Sequence, residues 1–184
     1  ILVLLGKGHN GGDALIAAQT LIAQSSSAVV DVVFVFGERS LRPLAGRAWR
    51  ELSAAHGVAV RGAESSRVKF AASYDVCLDG VFGFQFRPPV SSRVVELMEQ
   101  VNALPVRLRA AVDLPSAGLF KADFTYATGS VKLPVLDTAS AGRVRYLDLG
   151  FFQGEEPGHR RVICSSVLAP LTRLRAPQSD KRSH

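Results

Sequence analysis

From its first residue the chain alternates short apolar runs with amphipathic stretches. Ile1-Leu2-Val3-Leu4-Leu5 breaks abruptly into Gly6-Lys7-Gly8-His9-Asn10-Gly11-Gly12-Asp13, and an apolar helical stretch over 14–22 follows at once. The run VVDVVFVF at 29–36 predicts a buried strand, being apolar on both faces rather than alternating. Residues 43–56 predict a helix with Leu44, Ala48, Leu52 and Ala55 on one face. A short strand over 58–60, a weak helical piece over 68–72 and a strand over 74–78 come next, the last ending at Asp79. A helix over 91–102, a strand over 106–112 ending at Asp113, and strands over 124–128 and 144–149 complete the series. Strands alternating with helices at this spacing predict an α/β domain whose mainly parallel sheet, of six to eight strands, is covered on both faces.

That pattern says where a ligand would bind. In open parallel sheets, ligands lie beyond the carboxyl ends of the strands. Three polar segments fall at such ends: GKGHNGGD after the first strand, DGVFGFQFRPP after Leu78, and DLPSAG after Val112. One Asp at a strand end is ordinarily a turn former or helix cap. Three such segments on one edge point to a polar site.

Composition narrows the class. With 184 residues, 47% of them apolar, the chain is long enough for one full core. Its longest apolar runs fall well short of the roughly 18 residues of a membrane span. Cys77 and Cys164 lack metal-ligand spacing, and Cys77 reads as a small buried thiol. Half of the +6 formal charge lies beyond Gln153, where six Lys/Arg face three acidic residues. Residues 153–184 are therefore expected to form a basic, solvated tail rather than a nucleic-acid arm. The chain opens inside a strand-like run with no leading segment, so no targeting signal is legible.

Gly6-x-Gly8-x-x-Gly11 formally fits a dinucleotide fingerprint, with Glu38 as a ribose ligand, but such a motif alone is weak. Asp13 falls near the helix start, where a carboxylate would repel pyrophosphate unless a cation intervenes. The loop also lacks the Gly-Lys-Ser/Thr ending of a P-loop. No residue offers an evident hydride-transfer partner, which argues against an ordinary dehydrogenase.

In order and spacing, GKGHNGGD, DGVFGFQFRPP and AVDLPS resemble the NAD(P)H-hydrate epimerases, the YjeF N-terminal domain family. The usual patterns there are GxGNNGGDG, D-x-[IL]-FG and VDIPSG, and FGFQF is closer to the eukaryotic FGFSF than to the bacterial FGTGL. The resemblance assigns 1–152 to such a domain, without the helical segment that usually precedes the first strand. It implies a Rossmann-like three-layer α/β/α sandwich, often a homodimer, that interconverts the R and S epimers of hydrated NADH and NADPH with a potassium ion in its site. Carried over, His9, Asn10, Gly11, Gly12 and Asp13 would line the substrate, and Gly83, Phe84, Gln85, Phe86, Arg87, Pro88 and Pro89 would contact its phosphates. Asp113 would stand near the hydrated ring. Asn10, Asp79 and Ser116 would hold the cation.

The residue chemistry is compatible with that picture. Amide, hydroxyl and carboxylate oxygens are hard ligands, suited to an alkali ion and poor for zinc. Epimerisation breaks and remakes a C–O bond, or opens and closes the ring, and either route needs a proton carrier. Asp113, flanked by apolar residues, is the candidate, with burial expected to raise its pKa. The chain departs from the family pattern at His9 (usually Asn), Ala14 and Ala117 (both usually Gly), and in a shorter loop after Ser116. The competing expectation is a non-catalytic scaffold, dimerisation or RNA-associated domain on the same fold, although such relatives lose the Asn-Gly-Gly-Asp loop. Cytoplasm or mitochondrion is the expected setting.

Overall fold

The computed structural model describes residues 1–25, 27–54 and 59–150. In chain order the elements are β1 (Leu2–Leu5), α1 (His9–Ala23), β2 (Val29–Phe34), α2 (Pro43–Ser53), β3 (Ala59–Glu64), β4 (Tyr74–Gly80), α3 (Ser92–Ala103), β5 (Val106–Val112), β6 (Phe124–Thr128), α4 (Leu133–Asp137) and β7 (Arg143–Leu147). The seven strands form one sheet in the order β3-β2-β1-β4-β5-β6-β7, and every neighbouring pair is parallel. This is a Rossmann-like three-layer α/β sandwich. No helix among the described residues is long and apolar enough to cross a membrane.

The two-residue period of the strands divides the core between the faces of the sheet. Val3 and Leu5 of β1 pack with Val30, Val32 and Phe34 of β2 beneath α1 and α2. Leu2 and Leu4 pack with Val94, Leu97, Met98 and Val101 of α3 on the other face. Asp31 interrupts the apolar run of β2 without loss, because it accepts hydrogen bonds from Arg61 at 2.6 and 3.0 Å and from the Tyr74 hydroxyl at 2.8 Å.

Several boundaries differ from the sequence-based expectation. The largest difference is at α1, which begins at His9, so Asn10 to Asp13 are helical rather than loop. Glycine is a poor helix former, at about 1 kcal/mol per residue, and its presence hid the first turn. Close packing calls for it there: a Cβ on Gly11 would lie 2.6 Å from the Gly6 carbonyl oxygen, and one on Gly80 would lie 2.6 Å from the Ala14 Cβ. These contacts seat the start of α1 directly on the end of β4. Residues 68–72 are not helical; Val68 and Phe70 meet the core at a spacing of two, as in an extended chain. β2 stops at Phe34, α2 at Ser53 and β7 at Leu147, while β3 runs on to Glu64 and β4 to Gly80. Val58, His56 and residues 151–184, with the basic tail, lie outside the described residues.

Candidate active site at the reversal of strand order

Chain order runs one way from β1 through β2 to β3, and the other way from β4 to β7. β1 and β4 are adjacent, with Leu5 opposite Gly80, so their following loops diverge and leave a crevice between them. A cavity of about 610 Å³ occupies that position. One wall comes from the β1–α1 turn and the first turn of α1, through Lys7, His9, Asn10 and Asp13. The loop after β4 supplies Val81 to Phe86, and the ends of β5 and β6 supply Asp113, Thr128 and the following Lys132.

Asn10 ties these segments together. Its Nδ2 donates to the Phe82 carbonyl at 2.8 Å and to the Val112 carbonyl at 2.9 Å. Both amide hydrogens are thereby used, and its Oδ1 lies beside Gly83 together with Oδ2 of Asp113. Beneath the cavity, Asp79 and Ser116 are completely buried. Asp79 Oδ1 accepts from the Ser116 hydroxyl at 2.6 Å and the Val81 N–H at 3.2 Å, and Oδ2 accepts from the Ser116 N–H at 2.7 Å. The Ser116 Oγ in turn accepts the Phe82 N–H at 2.9 Å. Asn10, Asp79 and Ser116 thus surround one short backbone stretch, Val81–Phe82. Burial raises the Asp79 pKa to about 6, against the opposing pull of its hydrogen bonds. Among the described residues no Lys, Arg or His forms an ion pair with it.

Carboxylate, hydroxyl and amide oxygens are the hard donor types an alkali cation takes, and here the Asp79 oxygens and the Ser116 hydroxyl are engaged with each other and with backbone N–H groups. Among the described residues no cluster of three or more His, Cys, Asp or Glu side chains could hold a metal, so the set does not resemble a zinc site.

The surroundings of Asp113 differ from the apolar pocket expected of it. Ala110, Ala111 and Val112 are packed within the sheet, but the carboxylate leaves β5 at a left-handed backbone angle, φ 67°, and meets donors. Oδ2 accepts the Phe84 N–H at 3.1 Å, and Oδ1 accepts the Thr128 hydroxyl at 3.2 Å and the Lys132 ammonium. Lys132 also donates to the Thr128 carbonyl at 2.6 Å. The two side chains of this ion pair are only 15% and 9% exposed, so it is shielded from solvent yet faces the cavity. Across the cavity, burial raises the Asp13 pKa, the nearby Asp113 charge adds to the rise, and His9 opposes it.

The structure thus brings His9, Asn10, Asp13, Gly83, Phe84, Gln85, Phe86 and Asp113 to one cavity. Gly11 and Gly12 lie behind it, packed against Gly6 and Ala45 respectively. Arg87 and Pro88 line a second cavity of about 360 Å³ that shares the Phe82–Phe84 strip, and Pro89 lines neither. The Arg87 guanidinium donates to the Phe84 and Phe86 carbonyls at 3.0 and 2.9 Å, bracing the loop. Sequence reading missed Lys132 and Thr128. The strand-end rule that identified Asp79 and Asp113 would have reached both at the end of β6, had it been applied to TGSVK.

Comparison with known proteins gives this geometry a family. The family described as "YjeF-related protein N-terminus" matches residues 1–133. The chain belongs to that family. Its relatives include the "Bifunctional NAD(P)H-hydrate repair enzyme Nnr" of Gloeobacter violaceus, 42% identical over 115 residues, which are 62% of this chain and 21% of that protein. The "NAD(P)H-hydrate epimerase" of Bordetella pertussis is 37% identical over 116 residues, 63% of this chain and 47% of the relative. The same fold is seen in the crystal structure of yeast ynu0, with a TM-score of 0.58 at 20% identity over 79% of this chain and 64% of that one. The chain therefore spans between about a fifth and a half of the length of these two curated relatives. Within the family pattern, Ala14 is helical and fully buried against Gly80. Ala117 takes a left-handed φ of 53°, a conformation that favours the glycine usual at that position.

Proposed function

We propose that this chain interconverts the R and S epimers of NAD(P)H hydrate. One observation carries the reading: the Asp113–Lys132 pair, Asn10 and Asp13 face a single cavity at the point where strand order reverses. The names of the curated relatives support the same substrate.

The chemistry follows from the pair. Loss of the ring hydroxyl needs a proton on the departing oxygen, and return of water from the opposite face needs that proton removed. The Lys132 ammonium gives a proton to the hydroxyl, the C–O bond breaks, and water leaves with both bonding electrons. The adjacent Asp113 carboxylate offsets the positive charge left on the ring. Water then adds to the other face and gives up a proton to solvent, from which Lys132 is reprotonated, so the protein ends as it began. Asn10 fixes the Phe82 and Val112 backbone against which the ring rests, and the aromatic stack of Phe82 on Phe86, with centroids 4.0 Å apart, supplies a flat apolar wall.

Potassium belongs to the same proposal, held by oxygens of Asn10, Asp79 and Ser116, where its positive charge would offset the buried Asp79 carboxylate. Homodimerisation is also part of it. Incubating the chain with one separated epimer and resolving the products by chromatography tests the function: the other epimer forms faster than in buffer. Equal rates with and without protein reject it.

A further inference from the structure

The chemistry proposed above occupies one side of the cavity, on β5 and β6. The other side carries basic residues with a different disposition. Lys7 leaves the β1–α1 turn with its ammonium 4.9 Å from the centroid of the Phe36 ring, on the side of the sheet where β2 lies. Arg42 stands at the start of α2, and its backbone N–H donates to the Lys7 carbonyl at 2.8 Å. That bond fixes two loops to each other and brings both cations to the cavity, which Lys7, Phe36 and Arg42 all line. Among the described residues neither Lys7 nor Arg42 is ion-paired, whereas Lys132, Arg61 and Arg47 each hold a carboxylate. Two unneutralised cations on the wall of one cavity attract an anion.

The sheet order sets the distance. β1 and β5 are separated by β4 alone, so their ends lie about two strand spacings apart, roughly 10 Å. That gap suits the ribose joining a nicotinamide ring at Asp113 to a phosphate at Lys7. Between them lie Phe36 and Phe82, whose ring centroids are 5.7 Å apart.

We propose that Lys7 and Arg42 form a subsite for a phosphate of the dinucleotide, at the opposite side of the cavity from the reacting ring. The proposal rests on the substrate class given above, but its test needs no turnover. Two unreactive probes, ADP-ribose and ADP-ribose 2′-phosphate, are titrated calorimetrically into the wild-type chain and into Lys7→Ala, Arg42→Ala and Arg47→Ala. The Lys7 carbonyl that holds Arg42 is backbone and survives the first substitution. Arg47→Ala removes an equal charge from α2 outside the cavity.

Lys7→Ala and Arg42→Ala should each weaken binding roughly tenfold, as expected for one charge-assisted contact at a solvated rim, and Arg47→Ala should leave it within twofold. Equal losses for both probes place the pyrophosphate there, one ribose from the ring, and support the subsite; a loss confined to the second probe assigns the two cations to the 2′-phosphate and overturns that placement. No wild-type binding, variants within twofold of wild type, or an equal loss in Arg47→Ala overturns it. Tight binding through Lys7 without epimerisation would reject the proposed function and keep the subsite. Epimerisation with unchanged variant affinities would do the reverse.

Discussion

Replacing Asp79 by asparagine isolates what the buried carboxylate does to the folded chain. Its pKa of about 6 in the fold compares with ~3.9 for an exposed aspartate. Between about pH 4 and pH 6 the unfolded chain has already released a proton that the folded chain retains, so stability falls as pH rises through that window and levels off above it. The gap corresponds to about 3 kcal/mol at 1.36 kcal/mol per pH unit. Asparagine does not titrate. It can still accept from the Ser116 hydroxyl and the Val81 N–H, but its own amide would face the Ser116 N–H, now 2.7 Å from Oδ2. Two opposed donors cost about 1–3 kcal/mol. The wild-type carboxyl is itself protonated at pH 4 and carries a donor too, so Asp79→Asn should be the less stable protein there by at most about that amount, and should gain about 3 kcal/mol on wild type by pH 7. Urea denaturation of both proteins at several pH values, in choline chloride without potassium, measures the difference, and every other titrating group cancels. Parallel stability curves would mean that the Asp79 carboxyl has the same pKa in the folded and unfolded chain. At pH 7, adding potassium should stabilise wild type more than the variant, because only the ionised carboxylate offers the proposed ion a charge.

Lys132→Met leaves a shielded carboxylate without its ammonium, and should cost about 3 kcal/mol in denaturant unfolding while abolishing epimerisation. Asn10→Ala strips the Phe82 and Val112 carbonyls of their shared donor and should cost about 2–4 kcal/mol; a loss below 0.5 kcal/mol, measured the same way, would show that the two bonds are not limiting. Ala117→Gly relieves a left-handed backbone angle and should raise the melting temperature by about 2 °C, since relief of about 1–2 kcal/mol is partly offset by the flexibility of glycine when unfolded.

β1 and β2 were legible because strands buried on both faces of a parallel sheet are written as nearly continuous Val, Leu and Phe, whereas β3, β5 and β7 carry arginines. The three polar segments were legible because they interrupt such runs at the same end of the sheet. The true start of α1 was not: helix propensity discounts Gly11 and Gly12, whereas tertiary packing against the Gly6 carbonyl selects glycine at Gly11. Helical periodicity over 68–72 failed for a related reason, since a piece this short fits a period of two as well as one of 3.6. For Asp113, neighbours in sequence misled. Val112 and Leu114 say where the backbone runs, but a residue with positive φ turns its side chain away from the strand, here toward Lys132 and Thr128. That partnership joins residues 19 apart in the chain and leaves no local trace.

If the cavity over Asp79 and Ser116 interconverts the two epimers, the chain brings either one to the same equilibrium mixture. Separated R and S forms of NADPH hydrate are incubated with the chain in potassium buffer, and the epimer ratio is followed by chromatography. Both samples should converge on one ratio well ahead of their protein-free controls, and Asp113→Asn should slow both approaches alike. Convergence no faster than in buffer, or a wild-type rate in Asp113→Asn, would rule out epimerisation through this site.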